Sequence, residues 1–166
     1  MSGDEAAFMF ESDIDKSTIA AFVILDGPHD PNAVEEYHRQ FLETQKRVPF
    51  FRLTCVPEKI LGYYYWRETH DFKMEEHWRL LDGVDPDRTY SEREVLQLYG
   101  DRRHNVSFPK DKPLWEVLYV PRFAFDDDIG KTGAVEKSCY IMRMNHSISD
   151  GVNFSRFMGR LVAPSL

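Results

Sequence analysis

Residues 137–151 read Lys137-Ser138-Cys139-Tyr140-Ile141-Met142-Arg143-Met144-Asn145-His146-Ser147-Ile148-Ser149-Asp150-Gly151. The first ten form a largely apolar run with strand character. Tyr140, Met142, Met144 and His146 share one parity, and Arg143 and Asn145 share the other. Ser147, Ile148 and Ser149 then turn the chain, and Asp150-Gly151 opens a helix over Val152–Val162. Within that helix Phe154, Phe157, Met158, Leu161 and Val162 fall on one face. The parity predicts that the His146 imidazole leaves the strand on its apolar side, where a neutral imidazole can act as a base near neutral pH. Asp150 stands where the chain doubles back and can hold the turn by ion pairing, while Gly151 allows a close backbone approach. From these residues alone a second account stays open: Asp150 N-caps the last helix and His146 is a core histidine.

Outward from this stretch, strands and helices interleave. Ser17–Leu25 is β-branched and apolar, and Asp26-Gly27-Pro28 breaks it. Asp30-Pro31 begins a helix with Val34, Tyr37, Phe41 and Val48 on one face. Strands are expected over Phe50–Val56 and Ile60–Arg67, joined across Pro57-Glu58-Lys59, and a third over Met74–Leu81. After the loop Asp82–Asp87, Ser91-Glu92-Arg93-Glu94 has the capping-box pattern, with Val95, Leu96, Leu98, Tyr99 and Val106 marking the helix behind it. Further strands run over Leu114–Val120 and Lys137–His146, separated by Asp126-Asp127-Asp128. The expectation is a mixed sheet flanked by helices, in one α/β domain over residues 17–166. Residues 1–16 are expected to be a loose lead-in that docks through Phe8-Met9-Phe10.

Composition narrows the function. The chain has 166 residues, with 21 Lys+Arg against 28 Asp+Glu, a net charge of −7. That sign, without Lys/Arg clusters, argues against a nucleic-acid partner. The longest apolar run, Ile19–Leu25, has seven residues, far short of the roughly 20 needed to span a bilayer as a helix. Met1-Ser2-Gly3-Asp4-Glu5 lacks the basic and apolar regions of a secretory signal. A cytoplasmic location is therefore expected. Cys55 and Cys139 are too few for a zinc cage or disulfide framework and read as reduced, buried side chains. No metal site is expected: His70 and His77 do not have the i, i+4 spacing of a helical zinc pair. Gly130-Lys131-Thr132 lacks the earlier glycine of a phosphate-binding loop, and the acidic stretch beside it reads as a solvated loop.

His146-x-x-x-Asp150 followed by Gly151, at a strand end before a helix, resembles the active-site motif of the chloramphenicol-acetyltransferase-like superfamily. Three more stretches resemble its wax ester synthase/diacylglycerol acyltransferase family. Lys112-Pro113-Leu114-Trp115-Glu116 is similar to the family's RPLWE. His70-Asp71-Phe72-Lys73-Met74-Glu75-Glu76-His77 is similar to FDLDYHVR, with Phe72 and His77 in register. Val48-Pro49-Phe50-Phe51-Arg52-Leu53 is similar to VPRFRQRL. The order and approximate spacing agree, so the resemblance extends over about residues 8–166.

The resemblance implies one subdomain of the superfamily fold, the N-terminal one, with the second subdomain absent after Leu166. It implies an O-acyltransferase that moves a fatty acyl group from acyl-CoA to a long-chain alcohol or diacylglycerol hydroxyl. Acyl-CoA enters as substrate, and no cofactor is implied. His146 would be the general base; Asp150, Gly151 and Arg52 would support the motif, with Arg52 as the partner of Asp150. Asn145 stands where the family has the first of two adjacent histidines. It would be either a contact to the developing oxyanion or, as strand parity favours, an outward-facing amide. Ser147 and Ser149 would be turn residues, and Trp115 a packing residue. Lipid substrates imply peripheral membrane contact. The alternative is a non-catalytic module of the same fold that binds an acyl chain, CoA or a protein partner.

Overall fold

The computed structural model describes residues 18–31, 33–47, 51–131, 133, 135–149 and 152–153. The chain opens with β1 (Thr18–Asp26) and α1 (Ala33–Arg47), then a 3-10 turn over Phe51–Thr54. A hairpin of β2 (Cys55–Ile60) and β3 (Tyr63–Glu68) follows. Next come a single helical turn α2 (Met74–His77), the short strands β4 (Trp78–Leu80) and β5 (Tyr90–Ser91), and α3 (Glu92–Tyr99). The long strands β6 (Trp115–Ala124) and β7 (Lys137–Asn145) complete the described elements.

The main sheet has five strands in the order β1-β7-β6-β4, with β5 also pairing β6. β1 and β6 run antiparallel to β7, whereas β4 and β5 run parallel to β6. This is the mixed sheet that the interleaved pattern predicts. Both faces of β6 and β7 are covered, so almost every residue of these strands is buried. On one face Tyr140, Met142, Met144, Trp115 and Val117 pack with Phe41 of α1, Leu53 and Trp78. On the other Cys139, Ile141, Leu118 and Val120 pack with Val95 and Tyr99 of α3. α3 begins as its sequence predicts: Ser91 Oγ accepts from the Glu94 N–H at 3.2 Å, and the Glu94 carboxylate accepts from the Ser91 N–H at 2.9 Å.

Four expectations are corrected. The hairpin turns at Leu61-Gly62, with φ of 51° and 89°, and not at Pro57–Lys59. A two-residue turn with positive φ at both positions matches strand twist, and Gly62 supplies the residue it needs; Pro57 pairs with Trp66 within the ladder. Phe51–Thr54 coils instead of extending, which moves the first strand's start to Cys55. Met74–His77 is helical, leaving only Trp78–Leu80 as strand. Met74 and His77 are the buried residues of that turn, and an i, i+3 pair shares one face only in a helix. Val106 lies beyond α3, exposed after a π-type turn over Gly100–His104.

Cys55 and Cys139 are both free and buried, and burial pushes the Cys139 thiol up to about 12. No helix among the described residues is long and apolar enough to cross a membrane. Phe8-Met9-Phe10, Val48 and the apolar face of the last helix lie outside the described residues, which include that helix only at Val152 and Asn153.

Candidate active site

β7 delivers its last residue, Asn145, to the edge of the core, and this one residue organises the turn beyond the strand. The Asn145 N–H donates to the carbonyl of Leu114 at 2.8 Å, fixing the strand end against the start of β6. Its own carbonyl accepts from the Ile148 N–H at 3.0 Å, closing a tight turn. Its Oδ1 accepts from the Ser147 N–H at 2.9 Å. Asn145 is 5% exposed, so the outward-facing amide that parity favoured is corrected. Asparagine readily bonds the backbone two residues ahead, and that bond draws the side chain into the turn. With Oδ1 so engaged, Nδ2 is the atom through which Asn145 donates.

His146 occupies the second position of this turn. It is half-buried between the buried residues Asn145 and Ser147. Its ring therefore projects from a turn whose neighbours are fixed by backbone bonds. On the far side, Arg52 of the 3-10 turn donates to the carbonyls of Ser147 at 3.2 Å and Ile148 at 3.3 Å. The same guanidinium lies 5.8 Å from the Trp66 ring centroid on β3. The structure thus brings the Arg52 side chain onto the turn that holds Asn145 and His146. Asp150 and Gly151, and with them the expected Arg52–Asp150 pair, lie outside the described residues.

The segments that share a family-like pattern also converge in space. Trp115 is 1% exposed, and its Nε1–H donates to the carbonyl of Leu53 at 2.7 Å. Phe41 and His77 stack on its ring at centroid distances of 4.7 Å each. Phe72 in turn stacks on His77 at 5.2 Å. The His77 Nδ1–H donates to the Trp115 carbonyl at 2.7 Å, and burial holds this imidazole below its ordinary pKa. Trp115 is the packing residue expected, and it locks the strand that receives Asn145.

The Arg143–Glu116 pair is absent from the expectations drawn from sequence. Arg143 donates to Glu116 at 2.6 Å and to the carbonyl of Val106 at 2.5 Å. Two charged residues in otherwise apolar strands, on the parity opposite to Trp115 and Met144, were the available signal: a buried cation requires a carboxylate. Among the described residues, no group of three or more His, Cys, Asp or Glu side chains is placed to hold a metal ion.

No family model matches this chain, and no curated protein matches it. Solved structures do. A wax ester synthase/diacylglycerol acyltransferase from Marinobacter aquaeolei VT8 superposes with a TM-score of 0.63 at 18% identity, over 96% of this chain and 37% of that one. The starter condensation domain of rhizomide synthetase RzmA superposes at 0.60 and 14% identity, over 95% and 34%. A chain from the complex of the X-domain and OxyB from teicoplanin biosynthesis gives 0.63 and 11%, over 96% and 30%. The chain has the mixed sheet flanked by helices found in one part of these chloramphenicol-acetyltransferase-like structures. It spans about a third of the length of these three structures, and at such identities the likeness is one of fold.

Proposed function

We propose that this chain is part of an O-acyltransferase of the wax ester synthase/diacylglycerol acyltransferase type, in which His146 is the general base. The observation that carries the reading is the seat of His146, half-buried on a turn held by Asn145 and Arg52 at the end of β7. A base must keep its position while a proton moves, and both neighbours of this residue are buried. The likeness in fold to a wax ester synthase/diacylglycerol acyltransferase supports the choice of reaction class.

In this reaction an imidazole nitrogen of His146 takes the proton of a long-chain alcohol or diacylglycerol hydroxyl as its oxygen attacks the acyl-CoA thioester carbon. The C–O bond forms, the C–S bond breaks, and the imidazolium returns the proton to sulfur, releasing CoA. The hydroxyl needs the base more than the thiolate needs the acid, because an alcohol is scarcely ionised at neutral pH. Nδ2 of Asn145 is the candidate donor to the carbonyl oxygen as it gains charge, and Asp150 and Gly151 are the candidates for holding the turn into the last helix. No covalent acyl-enzyme is required, so Ser147 and Ser149 serve the turn.

The test is release of CoA from a long-chain acyl-CoA, with hexadecanol or diacylglycerol as acceptor, by the whole protein that contains this chain. His146→Ala is expected to lower turnover about 10²–10⁴-fold, the range for removal of a general base. Full activity in the variant would refute the assignment. An inactive wild type that still binds acyl-CoA saturably would instead favour the binding module.

A further inference from the structure

At the end of the β1–β7 ladder opposite to His146 lies an open cavity of about 610 Å³. The register sets its place: Thr18 pairs with Asn145 at one end of the two strands, and Asp26 with Lys137 at the other. Pro28 and Pro31 from the connection of β1 to α1, Pro86 from the loop before β5, and Pro121 on β6 line it, together with the rings of His29 and Tyr119. Space of this size suits a small organic molecule.

The wall is stiff. Proline has a fixed φ and no N–H, so these four residues offer carbon surface that neither adapts nor donates. His29 is pinned by three contacts. Its ring stacks on Tyr119 at 4.1 Å and 14°, its Nδ1 lies 2.8 Å from the Tyr140 hydroxyl, and its N–H donates to the Pro121 carbonyl at 3.0 Å. With Nδ1 so engaged, Nε2 is the ring nitrogen left for a guest, and it is not sealed from solvent. Burial lowers the pKa of His29 despite the nearby Asp30 carboxylate, which keeps the imidazole neutral near neutral pH. Arg122, the cation in this wall, is paired: it donates to Glu136 at 2.5 Å and to the Asp87 carbonyl at 3.4 Å.

We propose that this cavity binds an uncharged ring compound bearing a hydroxyl group, with phenols as the simplest case. The hydroxyl meets His29 Nε2, while the ring lies on the proline and tyrosine surface. A hydroxyl both donates and accepts, so it satisfies Nε2 in either tautomer. A rigid guest loses little conformational freedom against a rigid wall. A flexible acyl chain is better served by adaptable Met side chains, and the described lining holds none. The site does not rest on the proposed acyl transfer, and no step of that reaction is routed through it.

Equilibrium dialysis of the whole protein that contains this chain tests this, with 2-naphthol as ligand and naphthalene and 1-octanol for comparison. Saturable 1:1 binding of 2-naphthol is expected, about fivefold tighter than either comparison ligand, the worth of one hydrogen bond. His29→Phe keeps a ring against Tyr119 and removes both nitrogens; it is expected to weaken 2-naphthol about fivefold and leave naphthalene nearly unchanged. Because this change also takes a hydrogen bond from Tyr140, Pro86→Trp on the exposed rim serves as the second variant. Its indole obstructs the mouth, so a loss of about tenfold is expected with the melting temperature unchanged. Absence of saturable 2-naphthol binding up to millimolar concentration overturns the proposal. Unchanged affinity in either folded variant does so too, as does a comparison ligand that binds as tightly as 2-naphthol.

Discussion

The ladder of β6 and β7 and the hairpin of β2 and β3 are both antiparallel pairs, yet they are held by different forces. In the first, both faces are covered and most residues of the two strands are buried. In the second, only the base is buried, at Cys55 and Val56, while Leu61 at the tip is 94% exposed and Tyr63 71%. The site follows the first pattern where precision is needed: His146 is attached to the end of the buried ladder. The hairpin meets the site through Trp66, against which Arg52 rests. Burial on two faces gives a strand one position, whereas a two-stranded ribbon alone is marginal.

Breaking the ladder at its centre has the largest expected effect. Trp115→Ala removes a buried indole and strands the Leu53 carbonyl, so a loss of about 3–5 kcal/mol is expected, read as a lower urea midpoint or failure to fold. A loss under about 1 kcal/mol would mean that the indole is not the anchor of this region. The next effect sharpens the link from ladder to site. Asn145→Ala leaves the buried Ser147 N–H without its acceptor, at an expected cost of about 1–3 kcal/mol. In the whole protein its turnover is expected to fall further than that of an Asn145→Asp variant, which retains a side-chain acceptor. Equal turnover in the two would deny the turn-holding role.

The smallest effect is expected in the hairpin. Leu61 is the one non-glycine residue with positive φ among those described, and that conformation costs an ordinary L-residue roughly 1–2 kcal/mol. Leu61→Asn relieves part of this and restores the preferred Asn-Gly turn. Amide exchange across Cys55–Glu68 is expected to slow severalfold while the global melting temperature stays within about a degree, since the hairpin opens locally. A clear rise in melting temperature would show instead that hairpin and sheet unfold as one unit.

Legibility in the sequence depended on the forces that shaped each segment. The β1 and α1 segments, the capping box at Ser91 and the long strands β6 and β7 were readable because local pattern and tertiary environment agree there. The 3-10 turn at Phe51 and the helical turn at Met74 were not, because core contacts settled short apolar segments whose own pattern admits strand or turn. At the site, the ordered motif pointed to His146 and Arg52, and Arg52 reaches across from its own 3-10 turn to the carbonyls beside His146. The inward role of Asn145 was invisible to strand parity because its side chain answers to the turn that follows the strand. The Arg143–Glu116 pair joins residues 27 positions apart, and periodicity carries no information on such a partner.

Sequence by itself determined the alternation of strands and helices, the polar breaks between them and the placement of a histidine just past an apolar strand, since these depend on interactions within a few residues. Tertiary structure alone decided that Trp115 gathers Phe41, Leu53 and His77 from three separate segments, and that Arg52 grasps the turn beside His146. Such contacts form only after distant segments pack together, when burial obliges each polar group to find a partner wherever the fold has brought one.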